Sequence, residues 1–321
     1  MSRASRAIPV DGLEAPAGAG TLGALLETTK PGITKLVTIT AMVGFALGVL
    51  AHGEFSVTRI VLLGAACLVG TAMAAGGANT LNMWLEVERD RAMHRTRGRP
   101  LPSSRVDPTT AAWFGSTLTV VGVLVLAFVA GPMAALVALA CAAVYVLAYT
   151  PLKPITAWNT LIGAIPGALP PVIGTAAASP DHGFAALAEP IGWALFALMM
   201  VWQLPHFFAI AWLHRADYER GGFRMLSVRD ETGRRTGVAI LATALVLVPA
   251  TVAPAWAAPG LIGWPYIAFA VVTGVAYVGL ALRFARERTD KHARGVFFAS
   301  IAHLPLLLVV MTVEGLLRTI L

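Results

Sequence analysis

Charge is scarce in this chain. Asp, Glu, Lys and Arg make up 13% of its 321 residues, against roughly a quarter in ordinary soluble domains, and the mean hydropathy is +0.73. A chain of this length with so few charges cannot cover itself with a water-soluble surface, so its solvent is lipid. Cysteine is nearly absent. Cys67 and Cys141 both lie in apolar stretches, with no Cys or His at metal-ligand spacing, which argues against thiol redox chemistry and leaves two small buried hydrophobes. The hydrophobic runs also lack apolar/polar alternation, so a lipid-facing β-barrel is excluded. Residues 1–30 hold Arg3, Arg6, prolines and acids but no apolar core ahead of a small-residue cleavage site. They read as a flexible cytoplasmic tail rather than a cleaved secretory signal, followed by one membrane-embedded domain over 31–321.

Long hydrophobic runs, in contrast, are plentiful. Stretches of spanning length, about 20 residues at helical rise, recur near 33–51, 60–84, 110–130, 133–150, 159–177, 190–212, 237–255, 262–282 and 296–316. Their Ala, Leu, Val and Gly content predicts an all-α integral membrane protein, a bundle of about nine transmembrane helices around a central cavity.

The formal net charge of +7 and the basic isoelectric point would suit a nucleic-acid partner, but the placement of the cations argues otherwise. Lys and Arg fall in residues 1–35, 85–108, 150–157, 213–236 and 283–294, which are alternate connections. Only Arg59 and Arg318 fall in the others. The positive-inside rule then puts the N-terminus and these loops in the cytoplasm and the C-terminus outside, with no nucleic acid involved.

Two of the basic loops also carry acids. At the end of the second span, Asn82, Glu86 and Asp90 are spaced i, i+4, i+8, which stacks three oxygen-bearing side chains on one helical face. Such a row suits a hard divalent ion, although solvated acids at an amphipathic helix end would share the spacing. Arg91, Arg95, Arg97 and Arg99 follow directly, so guanidinium forks that match phosphate geometry lie next to the carboxylates. Lys153, in Tyr149-Thr-Pro-Leu-Lys, is either a snorkelling anchor or a phosphate ligand. Beyond the sixth span come His214, Arg215, Asp217, Tyr218 and Arg220, the second acid-and-arginine segment. His206 lies inside that span after Pro205, a functional candidate or a hydrogen-bonded packing histidine. Asn159 and the run Gly163-Ala-Ile-Pro166-Gly167-Ala-Leu-Pro170-Pro171 kink the fifth span, beside a cavity or at a close helix contact.

At these residues the sequence resembles the intramembrane aromatic prenyltransferase superfamily, and within it the haem branch, the protohaem IX farnesyltransferases. The resemblance runs from Lys30-Pro-Gly-Ile-Thr to His303-Leu-Pro-Leu-Leu. Its specific pieces are Asn79 to Leu101, Tyr149-Thr-Pro-Leu-Lys, Pro166-Gly-Ala-Leu-Pro-Pro-Val-Ile-Gly, and Pro205-His-Phe through Asp217-Tyr. The superfamily's first motif, Asn-x-x-x-Asp-x-x-x-Asp, reads Asn82, Glu86, Asp90 here. Its second acidic motif retains only Asp217, because Leu213 stands where the first acid would be.

The resemblance implies Mg²⁺-dependent transfer of a farnesyl group from farnesyl diphosphate to a vinyl carbon of haem b, with water, in the membrane of the bacterial cell. The product would serve haem A synthase or terminal oxidase assembly. Transfer to a quinone precursor or another aromatic acceptor is the alternative. In the site so implied, Asn82, Glu86, Asp90 and Asp217 hold the metal, and Arg95, Arg99 and Lys153 hold the diphosphate. His206, Arg215, Arg220 and Asn159 face the acceptor.

Overall fold

The structure is a computed structural model describing residues 21–52 and 56–321. Residues 1–20, most of the segment expected as a tail, lie outside the described residues. Among the described residues, nine helices are long and apolar enough to cross a membrane: α1 Pro31–His52, α2 Val57–Leu85, α3 Pro108–Ala130, α4 Pro132–Leu152, α5 Asn159–Ala177, α6 Pro190–Leu213, α7 Arg234–Ala257, α8 Trp264–Glu287 and α9 Asp290–Ile320. No strand occurs among the described residues. The hydropathy boundaries agree to within a few residues, except that α9 begins six residues earlier than its apolar run because Thr289 caps it by accepting from the His292 N–H.

Small residues set how closely these helices approach. With lipid outside, burial of apolar surface gives little drive for association, so close packing must supply it. Gly70 and Gly77 of α2 face Gly122 and Gly115 of α3, where an added methyl at Gly77 would overlap the Gly115 carbonyl. Gly44 of α1 lies against the Pro171 carbonyl and Gly174 of α5 against that of Ala41. These contacts pull α1, α2, α3 and α5 into one tight group. The other half, α6 to α9, is filled by larger side chains such as Trp202, Tyr266 and Phe284. Lipid-facing positions are the mirror image, with Phe128, Leu147 and Trp256 standing out from the bundle.

Proline shapes the walls. The segment Pro166 to Pro171 interrupts α5 at Leu169, and the Pro166 carbonyl accepts instead from Cys141 Sγ at 3.1 Å. The end of α4 widens into a π-helical turn over Val144–Tyr149, which stacks Tyr145 on Tyr149 with ring centroids 5.5 Å apart.

Ahead of α1, Thr21–Thr28 forms a short helix. Thr28 is buried and its hydroxyl meets that of Thr80 of α2 at 2.9 Å. Lys30 then takes a left-handed conformation, φ 50°, at the sharp turn into Pro31. This turn directs the Lys30 side chain back under the bundle's basic end.

Candidate active site

The row at the end of α2 is buried. Asn82, Glu86 and Asp90 are 0%, 5% and 1% exposed. The helix breaks at Glu86 and resumes as Val87–Ala92, yet the hydrogen bonds Glu86 N–H to Asn82 O and Asp90 N–H to Glu86 O carry the register across, so the three still share a face. Taking two carboxylates out of water costs several kcal/mol each unless they are paired. Each oxygen-bearing side chain is therefore matched to a cation from elsewhere. Lys30 Nζ donates to Asn82 Oδ1 at 2.5 Å, Lys153 Nζ lies 2.7 and 2.9 Å from the two Glu86 oxygens, and Arg99 donates to Asp90 Oδ2 at 2.8 Å.

Three cations around two carboxylates leave a surplus of buried positive charge. Lys30 registers it: burial, then the neighbouring Arg99 and Lys153, bring its ammonium down to about 7. For Lys153 burial also disfavours the charge, but Tyr149 and Glu86 outweigh it and hold the group above the ordinary lysine range. A buried site with this balance is built to receive an anion. The two carboxylates and the Asn82 amide oxygen, close together and out of water, also form a hard-oxygen donor set of the kind that holds Mg²⁺ beside a phosphate.

Three connections lock together over this row. His94 N–H donates to Asp217 Oδ1 at 3.0 Å, and Arg220 pairs with the same carboxylate. Burial works against the charge on Asp217, but Arg220 and the N–H groups of His94 and Arg95 hold its carboxyl below the usual range. Arg89 donates to the Gly221 carbonyl at 3.0 Å, and Arg224 N–H to the Lys153 carbonyl at 2.9 Å. Phe223 sits among them, its ring 5.8 Å from the Arg89 guanidinium and 5.7 Å from Lys153 Nζ. Gly222 permits the turn, at φ 68°.

Below the row a cavity of about 360 Å³ opens between α1, α2, α4, α5 and α6. Its upper rim is polar, where Asn79 accepts from the Tyr145 hydroxyl and donates to Thr34 Oγ1, and its walls are apolar. Ile33 and Leu36 line the cavity yet are 51% and 37% exposed, so it opens sideways beside α1. His206 forms part of the wall, clamped between Trp202 and Phe297 at interplanar angles of 17° and 21°. Ser300 Oγ gives its proton to the Phe297 carbonyl at 2.6 Å, so the 2.6 Å contact to His206 requires Nδ1–H as donor. Nε2 then carries the lone pair.

Thus the structure gathers Asn82, Glu86, Asp90, Lys153 and Arg99 at one point and puts His206 in the cavity wall. Other residues expected at the site are placed elsewhere. Arg95 is exposed, and Arg215 donates to the Trp212 carbonyl at 2.7 Å and to Asp290 at 3.1 Å while stacking on the Trp212 ring. Arg220 is engaged with Asp217. The Asn159 amide donates to the carbonyls of Thr156 and Arg224, tying two connections together. Lys30, Thr34, Tyr145 and Ser300 were not picked out from the sequence. Lys30 had a visible signal, a basic residue directly before a Pro-Gly at the edge of a membrane span.

The UbiA prenyltransferase family model matches residues 37–302. A Protoheme IX farnesyltransferase of Solibacter usitatus is 38% identical over 88% of this chain and 95% of its own length, and one of an Anaeromyxobacter species is 41% identical over 89% and 91%. Among solved structures, one described as digeranylgeranylglyceryl phosphate synthase superposes with a TM-score of 0.72 at 15% identity, over 92% of this chain and 98% of its own. A UbiA homologue of Archaeoglobus fulgidus bound to GPP and Mg²⁺ gives 0.60 at 14% identity, over 93% of this chain and 100% of its own. With a family model spanning most of the chain and relatives near 40% identity along almost all of it, this membrane protein belongs to the UbiA prenyltransferase family.

Proposed function

We propose that the protein transfers the farnesyl group of farnesyl diphosphate to a vinyl carbon of protohaem IX, with addition of water, at the α2 end of the bundle. The observation that carries this reading is the buried row Asn82, Glu86, Asp90 with its surplus of cations, set at the mouth of an apolar cavity. The names of the relatives supply the acceptor.

Asn82, Glu86 and Asp90 would hold Mg²⁺, whose chemistry is to neutralise the diphosphate as charge develops on the leaving oxygen. Lys30, Lys153 and Arg99 exchange their carboxylate and amide partners for diphosphate oxygens, which accounts for the excess positive charge they carry without it. Asp217 holds the connection 93–95 over the site from the second segment. The Tyr145 and Tyr149 rings lie where the polar rim meets the apolar walls, and present π-faces to an allylic cation. The cavity takes the isoprenoid tail and keeps water from the cation.

As the farnesyl C–O bond breaks, its electron pair leaves with the diphosphate. The vinyl π-pair then forms the new C–C bond, and the carbocation left beside the macrocycle is taken by water, which loses a proton to solvent. The macrocycle would enter through the opening beside Ile33 and Leu36, and His206 Nε2, a fixed lone pair in the apolar wall, would supply a ligand for its iron.

The basic end faces the cytoplasm of a bacterial inner membrane, which puts the diphosphate site on the side where soluble substrate is supplied. The test is to supply detergent-purified protein with haem b, farnesyl diphosphate and Mg²⁺ and to identify products by mass spectrometry. Hydroxyethylfarnesyl haem is expected; prenylation of a hydroxybenzoate with haem untouched would overturn the acceptor assignment. A His206→Ala variant that leaves the spectrum of added haem as in the wild type would overturn the iron contact.

A further inference from the structure

At the end of the bundle away from the α2 row, three side chains that farnesyl transfer does not use converge. His52 ends α1, His182 lies in the α5–α6 connection, and Glu189 precedes the first turn of α6. One ligand atom from each lies within 4.8 Å of the other two. We propose that His52, His182 and Glu189 form a second metal site, selective for Zn²⁺ or a similar late first-row ion over Mg²⁺.

Two observations distinguish this from a chance His–Glu pair. His52 Nε2 is 2.9 Å from Glu189 Oε1 but makes no hydrogen bond with it, so a buried ring nitrogen faces the carboxylate without pointing a proton at it. Convergence without hydrogen-bond geometry is what donors aimed at a shared point give. Glu189 occupies the N-cap position of α6 without its side chain capping the helix, and its carboxylate is turned to the histidines.

The His52 and His182 rings are 5.5 Å apart and nearly perpendicular, at 89°, so both can present a nitrogen to one point without stacking. Trp193 donates to the Leu187 carbonyl at 2.6 Å and secures the connection that carries His182. Two imidazoles and a carboxylate with one position left for water form a tetrahedral Zn²⁺ donor set. The α2 row contains only oxygen donors and favours the opposite kind of ion. A bound ion would fasten the end of α1 to the start of α6.

The experiment uses full-length protein, stripped with chelator and held in excess Mg²⁺ so that the oxygen site is saturated. Zn²⁺ binding is measured by equilibrium dialysis, and Co²⁺ is followed by its visible absorption. One equivalent of Zn²⁺ is expected to bind, with the intense spectrum of tetrahedral Co²⁺. Affinity should fall by more than about ten-fold in His52→Gln and in His182→Gln and persist in Glu86→Gln. Zn²⁺ should raise the melting temperature of the wild type and not of the double variant that combines His52→Gln with His182→Gln. Farnesyl transfer by the double variant in Mg²⁺ should equal that of the wild type, which also shows that it folds. Absence of Zn²⁺ binding in the wild type, or equal binding by the double variant, would overturn the site.

Discussion

The ends of α2 and α6 contain the same residue types and put them to different use. At α2 the row points inward, and two of its three members are met by cations from distant segments: Lys30 and Asn82 are 52 residues apart and Lys153 and Glu86 are 67 apart, while Arg99 reaches Asp90 from nine residues on. At α6 the pairing is local. Asp217 engages Arg220 three residues on and the backbone of a neighbouring loop, and Leu213, four residues before it, packs on the apolar core of α6 to α9. A half-exposed ion pair contributes at most about 1 kcal/mol, whereas buried charges cost more to desolvate than most pairs return. A buried, over-neutralised row is therefore a poor stability device, and its presence points to chemistry. A partly buried acid bonded to loop backbone and to a neighbouring arginine is an ordinary fastening.

The largest effect should come from the buried row. Glu86→Gln and Asp90→Asn should each lower the rate of farnesyl transfer by about 10²–10³, shift the Mg²⁺ dependence to higher concentration, and leave haem binding intact in spectral titration. An unchanged Mg²⁺ dependence would place the metal elsewhere. Next in size is Lys30→Met, which removes a cation from the diphosphate end. A charged hydrogen bond of roughly 1.5–3 kcal/mol predicts a rise in KM for farnesyl diphosphate of about ten- to a hundred-fold, with KM for haem unchanged.

Within α6 the proposed iron contact, His206, lies inside the span rather than at its end. Ser300→Ala removes the acceptor that fixes the His206 tautomer, and should weaken haem binding by about ten-fold, measured by Soret titration. His206→Ala should abolish the bound-haem spectrum. If Ser300→Ala binds haem as the wild type does, the hydrogen bond serves packing alone.

How much of this was legible in the sequence depends on the range of the contact. Nine spans follow from runs of apolar residues, and the Asn82, Glu86, Asp90 row from helical spacing, because both are local. Lys153 and Arg99 were readable as phosphate candidates from their type and position. The partner of Lys153 was not, since Glu86 is brought by another helix, whereas Arg99 meets Asp90 only nine residues away. Lys30 ended the segment assigned to the tail, 1–30, because the first apolar run begins only near 33. The structure turns the lysine inward at that boundary. Ser300, 94 residues from His206, has no local signal at all. Arg95, Arg215 and Arg220 share composition with Arg99, which alone of the four pairs with the buried row, through Asp90.

The smallest effect, and the sharpest test of the contrast, is expected at Asp217. Replacement by Asn keeps the shape and one acceptor oxygen but loses the charge that Arg220 and the His94 N–H engage. The connection 93–95 should loosen, seen as faster amide hydrogen exchange there, because its anchor to the second segment is weakened. The rate of transfer should fall by no more than about ten-fold, since the buried row keeps its own partners. The Mg²⁺ dependence should stay that of the wild type. If instead Asp217→Asn shifts the Mg²⁺ dependence as far as Glu86→Gln does, Asp217 reaches the metal directly, and the two ends of the site are alike in function despite their different burial.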